Sequence, residues 1–142
     1  MSKKDSLKNL NNLSYDTNDS QSSLIQWYNR LIDKSVDELS VTDVSKMIRQ
    51  HILREVAINR AIELLLVEPF AGEMLDGGLL DLLLSCGAEF ADSKKIEMLI
   101  PMIMEAEKEM SGFDWQESRC RLLFETNLAI LKSILHKNKK DS

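Results

Sequence analysis

Apolar residues recur every three or four positions from Leu24 to Leu135, and no segment shows the strict alternation of a half-buried strand. A chain patterned this way buries its apolar surface by packing helix on helix. Leu24, Trp27, Tyr28, Leu31 and Ile32 share one helical face, with Ser22 or Ser23 as the N-cap. Ser40 with Asp43 three residues on reads as a capping box opening a helix that carries Val44, Met47, Ile48 and Ile52. A third helix carries Val56, Ile58, Ala61, Ile62, Leu65 and Leu66 and stops before Pro69, because the residue preceding a proline is pushed out of the helical region. Leu79–Leu84 is apolar almost all round, as suits a helix at the centre of a bundle.

Two breaks divide the pattern, EPFAGEMLDGG at 68–78 and GAEFADS at 87–93. After the second, Asp92 or Ser93 is placed to cap a helix carrying Ile96, Leu99, Ile100 and Ile103, in which Pro101 forces a kink or a restart. Asp114 and Glu117 resemble the start of a last helix through Leu123, Phe124, Leu128, Leu131 and Leu135. The expectation is an all-α, single-domain bundle of about five to seven helices. Its 142 residues suit one core. Residues 1–22, rich in Asn, Ser, Asp and Lys, are expected to form a flexible polar arm that adds little to the core. Residues 23–136 form the helical domain and 137–142 a solvated basic tail.

The net charge of −5 disfavours general nucleic-acid binding, since phosphates are repelled, and suits a basic partner. The start lacks the apolar core of a signal peptide, and the longest aliphatic run, LLLV at 64–67, is too short for a bilayer. A cytoplasmic protein without membrane contact is expected. Cys86 and Cys120 form neither a CxxC pair nor a dense framework, so each is read as a small buried residue.

The equipment of an enzyme is missing from the pattern. Histidine is limited to His51, near a helix junction and read as structural or exposed, and His136 near the end. Gly77–Gly78 lacks the following GK[ST] of a phosphate loop, and no Glu-x-x-His pair marks a di-iron bundle. No catalytic residue, metal or cofactor is assigned. Met98, Met102, Met104 and Met110 are read as core filler rather than an adaptable groove. Arg49 is expected to pair with Asp37, Glu38 or Asp43.

Residues 37–84, DELSVTDVSKMIRQHILREVAINRAIELLLVEPFAGEMLDGGLLDLLL, carry a further signal. The order and spacing of Leu39–Asp43, MIRQ, AINRAIELL and EPFAGEMLDGGLL resemble the immunity proteins of contact-dependent growth inhibition (CDI) systems, over about residues 24 to 86. The resemblance implies a cytosolic protein that binds and neutralises one cognate toxin domain, commonly a nuclease, by occluding or distorting its site. An acidic inhibitor gains fast association with a basic nuclease surface. Candidate contact residues are Glu68, Glu73 and Asp76 in the first break, since a helix turn by itself requires none of them. Glu105, Glu107 and Glu109 on a later helix form a rival patch. In the break, Phe70 and Leu75 are read as staples to the core. The competing readings are a helical adaptor for another cytosolic protein, an enzyme with a cryptic Cys86 or His51 centre, and a helix-turn-helix DNA binder over residues 42–66. The last offers little net positive charge, since LREVAINRAIELL balances two arginines against two glutamates.

Overall fold

The computed structural model describes residues 5–17, 22–92 and 94–140. Among them are eight α-helices: α1 (Leu7–Leu10), α2 (Ser23–Leu31), α3 (Val41–Arg49), α4 (Arg54–Val67), α5 (Gly78–Ser85), α6 (Ala88–Ala91), α7 (Ile100–Glu109) and α8 (Ser118–Lys140). Short 3-10 segments at Val36–Glu38 and Lys94–Leu99 complete the fold, and the described residues contain no strand. The chain is all-α, with slightly more helices than the periodicity predicts.

The helix starts follow local chemistry. The Ser22 hydroxyl accepts from the Ile25 N–H and caps α2. Ser40 and Asp43 form the expected capping box at the head of α3. Pro101 stands in the first turn of α7, where its missing N–H costs nothing, so it marks a start and not a kink. Of the caps expected before this helix, Asp92 instead ends α6, while Ser93 lies outside the described residues. The Asp114–Glu117 box does not open α8, which begins one residue later at Ser118.

Helix α4 is the hub. It packs against α3, α5, α7 and the 3-10 segment 94–99, and α5 in turn packs on α8. Leu79, Leu80 and Leu83 of α5 are fully buried, as an apolar girth requires. The second break is not a plain loop, because α6 folds one turn inside it and buries Phe90. The methionines divide. Met102 is buried and Met110 packs against the core, whereas Met98 and Met104 are exposed.

The N-terminal segment corrects the expectation of an arm outside the core. Leu7 is 0% exposed and belongs to the main apolar cluster. The Leu7 and Lys8 N–H groups donate to the carbonyls of Lys34 (2.8 Å) and Ile32 (2.8 Å). One apolar side chain with two backbone hydrogen bonds is enough to dock a polar segment. Residues 1–4 and 18–21 of that arm lie outside the described residues. At the other end α8 runs on through Lys140, so the first residues of the basic tail extend the helix, and Asn138 donates to the Ala91 carbonyl (3.1 Å). Asp141 and Ser142 lie outside the described residues.

Candidate protein-binding site

The first break, residues 68–77, is an ordered loop. The Ala71 N–H donates to Glu68 C=O (3.1 Å), Gly77 N–H to Phe70 C=O (2.7 Å) and Gly78 N–H to Leu75 C=O (3.0 Å). Two glycines make this closure possible. Gly77 has φ +78, and a Cβ there would meet the Phe124 ring at 2.8 Å. At Gly72 a Cβ would stand 1.8 Å from the Leu75 carbonyl oxygen, so the chain passes over itself at a distance no side chain permits.

Aromatic packing joins this loop to the α7–α8 connection. The Phe70 ring lies 4.4 Å from Phe113, 5.0 Å from Trp115 and 5.1 Å from Phe124, centroid to centroid. Trp115 fixes its own end by donating from its indole N–H to the Met110 carbonyl (3.1 Å). The chain has two Trp, two Tyr and four Phe, and three of the Phe and one Trp gather here. Phe70 thus staples the connector as expected. Leu75 does not, because its side chain points out and is exposed, as is that of Met74.

Two of the acids have intramolecular work. Both Glu73 carboxylate oxygens accept from Arg49 Nη2 (2.9 and 2.7 Å), tying the loop to the end of α3. This replaces the expected pairing of Arg49 with Asp37, Glu38 or Asp43, because Lys34 occupies the Asp43 carboxylate at 2.8 Å. Asp76 accepts the Gln116 backbone N–H at 2.9 Å and so pins the loop to the segment before α8. The expectation that local turn structure needs neither acid holds, but the tertiary structure uses both.

Where the two loops meet they leave an open groove of about 740 Å³. Val67, Glu68, Pro69, Phe70, Ala71, Gly72 and Asp76 form one wall, and Glu109, Gly112, Phe113 and Asp114 the other. The two patches that are rivals in the sequence reading, Glu68 with Asp76 and Glu109 on α7, are therefore sides of one feature. Glu105 lies exposed one turn before Glu109, and Glu73 stands outside the lining. Sequence reasoning missed Phe113 and Asp114. The signal was the aromatic-rich SGFDW at 111–115 in a chain poor in aromatics.

The groove carries charge of one sign. Elsewhere Asp33, Asp43, Glu63, Glu73, Glu89, Glu107, Glu117 and Glu125 each face a Lys or Arg nitrogen. Glu68, Asp76, Glu109 and Asp114 have no ion-pair partner among the described residues, and no Lys, Arg or His lines the groove.

The groups considered for catalysis are placed otherwise. Cys86 and Cys120 are both buried and unbridged. Burial pushes the Cys86 thiol up, against the pull of nearby Arg54, away from the thiolate a nucleophile needs. His51 is exposed at a positive φ of 56°, between α3 and α4. Arg54 Nη1 stands 2.6 Å from His51 Nδ1 and can only donate, so this nitrogen accepts. Among the described residues no group of three or more His, Cys, Asp or Glu is placed to hold a metal ion. No helix among the described residues is long and apolar enough to cross a membrane.

The groove of this all-helical domain offers carboxylates and aromatic rings. The family described as CDI immunity proteins matches residues 9–100, most of the chain, and the chain belongs to that family. It is an immunity protein that neutralises a CDI toxin, and it is not an enzyme. No curated protein matches it significantly.

Proposed function

We propose that the groove between residues 67–76 and 109–114 receives a basic surface of the cognate toxin's C-terminal domain, a nuclease, and covers its active site. The observation that carries this reading is the set of four carboxylates that line both walls of one groove with no Lys, Arg or His beside them. Like charges held together repel one another, and a cationic partner removes that cost on binding. A nuclease presents such a partner, because it must hold phosphates. Carboxylates seated in its basic cleft exclude the nucleic acid.

Within this reading Glu68, Glu109 and Asp76 contact the toxin and Glu105 extends the acidic rim along α7. Glu73 contributes by anchoring the loop to Arg49. Binding takes place in the cytoplasm, and the protein itself holds no nucleic acid. The test is calorimetric titration of the toxin domain against the full chain and its E68K/E109K variant. Affinity should fall at least a hundredfold with the melting temperature nearly unchanged, since both residues are exposed. Undiminished affinity would move the interface to another face.

A further inference from the structure

We infer that the side chain anchoring the toxin in this groove is an arginine, held with its guanidinium against the Phe70–Phe113 pair and bracketed by the carboxylates around it. The inference rests on the docking reading above and specifies the chemistry of the occupant. Three observations carry it. The floor is aromatic: Phe70 and Phe113, 4.4 Å apart and tilted by 39°, are both half-buried, so ring surface faces the groove. The rim is anionic on both walls, with Glu68 and Asp76 on one and Glu109 and Asp114 on the other. The carboxylates are also spread too widely to enclose a bare ion, since among the described residues no group of three or more is placed to hold a metal.

A ligand that meets all three must be cationic, extended and able to lie on a ring. A guanidinium is planar, weakly hydrated and carries five N–H donors that reach several acceptors at once. It also stacks on aromatic faces, where the ring quadrupole attracts the cation. A lysine ammonium is a strongly hydrated point charge. It can pair with one of these acids but gains little from the floor. The volume, about 740 Å³, exceeds one side chain, so the arginine arrives on a loop or helix end whose neighbouring apolar residues cover Val67, itself 80% exposed.

The experiment is an NMR titration of the full chain with N-acetyl-arginine amide and, separately, N-acetyl-lysine amide. The arginine compound should shift the ring protons of Phe70 and Phe113 and bind about threefold or more tightly than the lysine compound. Phe113→Leu, which keeps an apolar side chain in place, should remove the preference and leave lysine binding unchanged. E109Q/D114N, a surface change that cannot unfold the floor, should weaken both. Equal affinity for the two compounds, or shifts confined to other residues, would overturn the inference. If E68K/E109K abolishes toxin binding while arginine shows no advantage, the docking reading stands and the arginine anchor falls. A concentration-dependent dimer dissolved by the same charge reversal would place an arginine of a second copy in the groove, and would overturn the assignment to the toxin.

Discussion

Asp43 collects three donors on one carboxylate: the Lys34 ammonium (2.8 Å), the Ser40 backbone N–H (3.2 Å) and, at 3.5 Å, the Trp27 indole N–H. Burial pushes its pKa up, but the hydrogen bonds from Lys34 and Ser40 and the charge of Lys34 outweigh it, and the group titrates below the usual carboxylate value. Glu38 is shifted the same way, by the Ser35 N–H and hydroxyl. A depressed folded-state pKa means the native state holds its protons less tightly than the unfolded chain. The stability from Asp43 is therefore complete above about pH 4 and drains away as pH falls through the folded value below it. Asp43→Asn should lower stability at neutral pH by about 1–2 kcal/mol and flatten the decline between about pH 5 and 2, measured by urea unfolding at several pH values. A variant whose acid sensitivity matched the parent chain would remove Asp43 from this role. Leu7 makes a second residue-scale case. With its side chain fully buried, Leu7→Ala should cost about 2–5 kcal/mol. A loss below about 0.5 kcal/mol would return the segment to the status of a loose arm.

At the scale of elements, the helix boundaries were legible where a local rule decides them. Ser22, the Ser40–Asp43 box, the stop before Pro69 and the start at Pro101 all depend on residues within four positions of one another. Elements that depend on distant partners were not legible. Helix α6 exists because Phe90 finds the core, and the Asp114–Glu117 spacing imitates a cap that the chain does not use. The 68–77 loop shows both sides. Its proline and glycines announced a turn, while the Arg49–Glu73 bridge spans 24 residues and Asp76 reaches Gln116 across 40. Gly77→Ala should cost roughly 1–3 kcal/mol, from the left-handed backbone and the contact with Phe124. Phe70→Ala should cost about 2 kcal/mol, less than a fully buried ring, and should also loosen the groove by freeing Phe113. Thermal unfolding measures both. A neutral Gly77→Ala would show that the loop can close another way.

For the whole molecule, the acidic balance could be read from composition, but its uneven placement could not. The groove gathers four carboxylates with no base in its lining, a concentrated negative face in a chain of net charge −5. That face exists because residues 67–76 and 109–114 meet through Phe70 and Phe113, backed by Trp115 and Phe124, a long-range contact with no periodic trace in the sequence. A charged interface of this kind speeds encounter with an oppositely charged partner, and salt screens it. The association rate with the toxin domain should therefore fall by roughly tenfold or more between low and physiological ionic strength in stopped-flow measurements. A rate indifferent to salt would argue for an apolar docking face instead. Hydrogen–deuterium exchange of the full chain, with and without its toxin domain, tests the central claim most directly. The groove account predicts new protection at residues 67–76 and 109–116, with the outer face of α8 around Leu122 and Ile130 unchanged. Protection on that face of α8, with both loops exchanging as in the free protein, would contradict it.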